Sequence, residues 1–270
     1  MFNNLKKFFT EEIEDTPLPE TLAKTMENPQ DLFTHLDALR KHLLRSVLVI
    51  GVATAGAFIF NRQILEFLSF PLEYGIHSLT AIDVTEPIST VMRVSLLTGF
   101  AVAFPYIALE AWLFIAPGLH KKSRVYGLIA IPVATIFFLG GMAFAYFVML
   151  PAAIPFLLNF MGINTIPRPS SYIRFVTGIM FWIGIAFEFP IVIFILASLG
   201  IVTSKMLSHH WRLAVVIIAV AAALITPTVD PVNMALVMGP LVLLYFFSII
   251  LAKIAGRRRK HLPETGESSL

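Results

Sequence analysis

The sequence predicts an all-α integral membrane protein of six transmembrane helices with both ends in the cytoplasm. Three observations carry that expectation. Of the 270 residues, 57% are hydrophobic and only 14% charged; the apolar stretches run on for the thickness of a bilayer; and lysine and arginine collect in alternate loops. A mean hydropathy of +0.81 leaves more apolar surface than one soluble core can hide, so lipid must cover the rest. Continuous apolar runs also argue against a transmembrane β-barrel, whose strands alternate apolar and polar positions.

The spans are expected at residues 43–60, 94–115, 125–149, 172–198, 211–226 and 232–252. An even number returns the chain to its starting side. Backbone N–H and C=O groups find no water in hydrocarbon, so each span is helical, and Pro105, Pro132, Pro190 and Pro240 inside them imply kinks rather than breaks. Orientation follows from charge: the N-terminal segment, the second and fourth loops and the C-terminal tail hold all but Arg62, Arg93, Arg168 and Arg174 of the 20 basic residues. The positive-inside rule then places both termini in the cytoplasm.

The net charge of +3 therefore reports topology and gives no sign of nucleic-acid binding. Arg257 to Lys260, just after the last span, reads as a membrane-surface anchor. With no cysteine, the chain has no disulfides, thiolate chemistry or Cys-based metal sites. About 40 polar and acidic residues precede the first apolar run, so no cleavable signal peptide is expected. Residues 1–34 read as a mobile polar tail, 35–253 as the membrane domain and 254–270 as a basic, then polar, cytoplasmic tail.

Several features mark a working surface. Only about 13 to 15 apolar residues separate Arg212 from Thr226, about 20 Å of helix against a hydrocarbon core of roughly 30 Å. The fifth span is thus short, and the tight connection at residues 227–231 predicts a hairpin with the sixth. Glu188, mid-span, and Glu110, in the second span beside Trp112, are costly at bilayer depth and should face a groove, a partner or a buried donor. About 30 residues join the first two spans, too many for a turn, and predict a cap on the outer surface. Within it, Thr85 is expected to cap a short helix containing Glu86 and Pro87. His209 and His210 are adjacent and point about 100° apart on a helix, which suits a surface role and no metal site. No H-E-x-x-H, G-x-S-x-G, P-loop or dinucleotide motif occurs, so no reaction and no cofactor is assigned.

Taken together, several stretches resemble the TatC family, the multi-span core of the twin-arginine protein translocase. They are His35-Leu36 with Leu39-Arg40-Lys41, Thr85-Glu86-Pro87, and Trp112-Leu113-Phe114-Ile115-Ala116-Pro117-Gly118-Leu119. Further on come Phe138-Leu139-Gly140-Gly141, Phe144-Ala145-Tyr146-Phe147, Phe187-Glu188-Phe189-Pro190, Thr226-Pro227, Pro240-Leu241 and Leu244-Tyr245. The resemblance implies a concave, glove-like bundle with short fifth and sixth helices. It would receive twin-arginine signal peptides at the cytoplasmic face, recruit single-span TatA/TatB-type partners, assemble into homo- or hetero-oligomers and export folded precursor proteins on the proton-motive force.

Residue by residue, the resemblance implies a signal-peptide surface at His35, Asp37, Arg40 and Ser123, an intramembrane polar groove at Glu110 and Glu188, an external cap motif at Thr85, Glu86 and Pro87, and partner docking at Thr226 and Asp230. Glu188 then either titrates during transport or holds the groove in shape. The chain departs from the family pattern where it matters for recognition: Ala38 and Ser123 stand where two acids are expected, and Met234 and Phe246 where Gln and Glu are. Asp37, one residue before Ala38, is rotated about 100° around a helix. Three accounts follow: Asp37 substitutes, a partner subunit supplies acids, or the signal requirement is relaxed. Weakened or altered twin-arginine discrimination is the expectation, with unchanged recognition as its alternative. Two other classes stay open, a proton-coupled transporter of a small solute and a membrane assembly scaffold.

Overall fold

A computed structural model describes residues 29–115, 121–159, 162, 165–226 and 230–260, with side chains over these stretches except 29–35, 121–128 and 257–260. All regular structure among them is helical. In chain order the α-helices are α1 (Pro29–Ile59), α2 (Asn61–Ser69), α3 (Glu86–Ile115), α4 (Lys121–Phe144), α5 (Leu150–Leu158), α6 (Pro169–Phe187), α7 (Phe189–Leu199), α8 (Ser204–His209), α9 (Trp211–Ile225) and α10 (Pro231–Lys260). A 3-10 turn covers Gly75–Ser78, and a π-helical turn at Ala145–Met149 joins α4 to α5.

Five stretches are long and apolar enough to cross a membrane: Leu36–Ile59, Glu86–Ile115, Ile129–Leu158, Pro169–Leu199 and Pro231–Gly256. The fifth span in chain order, α9, is short as expected, with 15 residues, about 22 Å of helix, whereas the sixth, expected to be short, is long enough to cross at Pro231–Gly256. Residues 1–28 of the expected tail lie outside the described residues; α1 begins at Pro29, and α10 continues through the basic cluster to Lys260.

Two helices depart from plain kinking, each where proline withdraws an N–H. Pro151 cannot bond to the carbonyl four residues back and its ring crowds that position, so the ladder widens into the π turn just before it. At Pro190 the fourth span does break. The helix stops at Phe187, Glu188 takes φ −73° and ψ −21°, and α7 restarts at Phe189 with proline in its first turn. The Glu188 carbonyl then accepts the N–H groups of both Ile191 and Val192 at 3.0 Å.

The chain falls into two compact units: residues up to Ala53 with Phe100–Thr135, and Thr54–Gly99 with Ile136–Leu270. In the second unit, Phe138, Leu150, Ile173, Val176, Ile179 and Ile183 are fully buried. Close approach here depends on glycine. A Cβ on Gly141 would lie 2.9 Å from the Ile183 carbonyl oxygen, and one on Gly99 2.6 Å from the backbone N and Cα of Thr54. Small residues serve the same purpose where α7 meets α10, through Ala197, Ala252 and Ala255.

The loop between the first two spans is tied down by side chains. α2 ends with carbonyls that have no partner within the helix. Tyr146 donates its hydroxyl to Phe67 O at 2.6 Å and stacks on the Phe67 ring, and Tyr172 donates to Leu68 O at 2.9 Å. α7 closes on Gly200, whose φ of +80° is the left-handed conformation that favours glycine at a helix end. α9 packs on α10 as the hairpin expected from the sequence, its connecting residues 227–229 lying outside the described ones.

Candidate functional site

In the first unit, α3 carries Glu110 one turn beyond Tyr106, so both side chains reach the same side of the helix. Glu110 is buried, at 3% exposure. Tyr106 donates its hydroxyl to Oε1 at 2.5 Å, and His42 Nδ1 on α1 donates to Oε2. The His42 side chain keeps 22% exposure, and its ring meets Phe114 edge-on at 6.2 Å. Arg45 lies within electrostatic reach of Tyr106. The buried donor that the sequence demanded for Glu110 is therefore His42 with Tyr106. No motif pointed to His42; the available signal was one polar ring opening an apolar run at the end of the first span.

Of the expected signal surface, Asp37 and Arg40 lie in the same unit and outside this cluster. Asp37 is exposed and pairs with Lys41 at 2.6 Å, one turn along α1, and Arg40 is exposed. The side chains of His35 and Ser123 lie outside the described residues.

In the second unit, Glu188 sits at the break in the fourth span, its carboxyl against the Phe138 backbone. Its Oε1 is buried without a hydrogen-bond partner among the described residues. Thr85 differs from expectation. The helix it precedes is no short cap but the whole second span, starting at Glu86, and Thr85 donates both its N–H (2.9 Å) and its hydroxyl (3.0 Å) to Asp83 Oδ1. These bonds hold the Asp83 carboxyl below its ordinary pKa, the Thr85 N–H contributing most. Glu86 is the strut: 7% exposed, it accepts the Ile82 N–H on Oε2 and the Ser170 hydroxyl on Oε1, each at 3.1 Å. Loop and fourth span are thereby joined through the first residue of the second.

Thr226 and Asp230 are likewise engaged within the chain. Thr226 is buried and its hydroxyl donates to Ala222 O at 2.9 Å. Asp230 caps α10, accepting the Asn233 N–H at 2.7 Å and the Asn233 side-chain amide at 2.9 Å, with Pro231 in the first turn. A threonine at a helix end folds back on the carbonyl four residues earlier, and an aspartate before Pro-x-Asn caps the next helix, while Asn233 Oδ1 is buried without a hydrogen-bond partner among the described residues. His209 and His210 are exposed, and no group of three potential metal ligands occurs among the described residues.

Comparison with known proteins bears on what this arrangement serves. The family model described as Sec-independent protein translocase protein (TatC) matches residues 34–240. The chain belongs to the TatC family. The Sec-independent protein translocase protein TatC of Deinococcus radiodurans is 37% identical over 248 residues, covering 88% of this chain and 89% of that protein. The chloroplastic relative from Pisum sativum is 32% identical, over 89% of this chain and 68% of its own. Among solved structures, a crystal structure of the twin-arginine translocase receptor TatC superposes with a TM-score of 0.74 at 32% identity, over 82% of this chain and 99% of that one. This is a family of translocase proteins and not of enzymes in the usual sense. The matched stretch includes His42, Glu110, Glu188 and the Thr85–Glu86–Pro87 motif.

Proposed function

We propose that this multi-pass membrane protein is the receptor core of a twin-arginine translocase. It lies in the cytoplasmic membrane with both termini inside, binds twin-arginine signal peptides and, with single-span TatA/TatB-type partners, exports folded precursor proteins on the proton-motive force. The observation that carries the reading is its likeness to the twin-arginine translocase receptor, at a TM-score of 0.74 and 32% identity over 82% of the chain. The signal surface is read at His35, Asp37, Arg40 and Ser123, and the intramembrane polar groove at Glu110 and Glu188.

Partner docking is read on the α9 hairpin. Val216, Val220 and Leu224 are 59%, 57% and 81% exposed, at spacings of four that put them on one face of α9. A helix of 15 residues is shorter than the hydrocarbon core, so a partner helix lying against it relieves the mismatch. Higher oligomers follow from several such receptors sharing partners.

The test is export. In cells lacking their own TatC, the chain together with its TatA/TatB-type partners restores transport of a folded reporter carrying a twin-arginine signal. Accumulation of the protein in the membrane with no export would overturn the reading.

A further inference from the structure

An arginine-bearing signal needs a carboxylate, and the surface where the family resemblance places the acids has Ala38 and Ser123 instead. In the first unit, the carboxylates on described side chains are Asp37 and Glu110. Asp37 is an unpromising receptor: it is 53% exposed and already paired with Lys41 at 2.6 Å, and exposed pairs are screened by water and salt. Glu110 differs on each count. It is 3% exposed and shielded from competing water, and its two donors leave acceptor capacity on both oxygens. One donor, His42, is itself partly exposed, so the pair has an open side from which a ligand can reach it.

We propose that Glu110, covered by His42, is the carboxylate that reads an arginine of the signal peptide in this chain; the proposal rests on the receptor reading above. The incoming guanidinium displaces the His42 ring from Oε2 and takes both oxygens side by side, while Tyr106 keeps its bond to Oε1. This position gives the chain a carboxylate for arginine in place of the two expected acids. A guanidinium is planar, weakly hydrated and matched to a carboxylate in a two-pronged bond, whereas an ammonium is a compact, strongly hydrated charge that loses more on leaving water. A buried carboxylate therefore separates arginine from lysine more sharply than an exposed one.

The experiment measures capture of a precursor with a twin-arginine signal, and of the same precursor with twin lysine, by membrane vesicles containing the full chain. The unaltered chain should favour arginine about tenfold or more. Glu110→Gln should bring the ratio within about threefold, and Ala38→Glu added to Glu110→Gln should recover only part of it, because the returned acid lies at the more exposed surface. A ratio still near tenfold in Glu110→Gln overturns the proposal. Capture of neither precursor by the unaltered chain overturns the receptor reading itself, which separates the two failures. If Glu110→Gln does not accumulate, a photoreactive phenylalanine analogue in place of Phe114 decides. Crosslinking to the arginine precursor and not to the lysine one supports the proposal; no preference overturns it.

Discussion

Replacing Glu86 tests the strut that joins three elements. Its carboxylate receives two hydrogen bonds at 3.1 Å, from the Ile82 N–H in the interspan loop and from the Ser170 hydroxyl at the start of α6, and it is 7% exposed. A hydrogen bond to a charged group is worth about 1.5–3 kcal/mol, and a loop that opens to water rehydrates its freed donors, which favours the lower end. Glu86→Ala should therefore cost about 3 kcal/mol, a factor of about 100 in the equilibrium for opening the loop. Glu86→Gln keeps one acceptor and should lose about tenfold. Hydrogen exchange reads this directly, because the Ile82 amide is one of the two donors. Peptides covering residues 79–86 should lose protection in that order, while Glu73→Ala, at an exposed position nearby, leaves it unchanged. Full protection in Glu86→Ala would refute the strut.

Three further outcomes follow. Gly99→Ala places a Cβ within 2.6 Å of Thr54 backbone atoms, so it should destabilise by about 1–3 kcal/mol and lower the melting temperature in detergent, where an unchanged value would deny the close approach. Asp83, held below its ordinary value by Thr85, supports the loop at neutral pH; that support is complete above about pH 4 and is lost as pH falls through the lower folded value, so acid should cost the native chain more protection over residues 79–86 than it costs Asp83→Asn. Reporters fused after Arg258 should behave as cytoplasmic and reporters within residues 75–84 as external; labelling from outside of a cysteine at Ser123 in intact cells contradicts that topology.

Hydropathy made the spans legible, because a bilayer demands uninterrupted apolar length from every helix. It blurred their ends for the same reason. Glu86, Ser89, Thr90 and Arg93 are polar and fall outside an apolar window, yet they form the first turns of α3, which is why Thr85 read as the cap of a separate short helix. The break at Glu188 and the π turn at Ala145–Met149 arise from single prolines whose missing N–H is resolved by packing, so composition announced a disturbance there but not its form. The need of Glu110 for a buried donor was readable from its cost in lipid. That the donor is His42, 68 residues away, required the fold, as did the bond from Ser170 to Glu86 across 84 residues. At Thr226 the chemistry was visible and its destination was not: the hydroxyl closes on its own helix.

Everything proposed above depends on this chain receiving twin-arginine signals. The most direct measurement is capture of a purified twin-arginine precursor by vesicles that contain this chain and no TatA/TatB-type protein, with a synthetic signal peptide as competitor. Capture should be saturable, displaced by the arginine peptide and displaced at least about tenfold less well by its lysine counterpart. Capture no greater than that of vesicles lacking the chain, or displacement equal for the two peptides, would contradict the receptor reading.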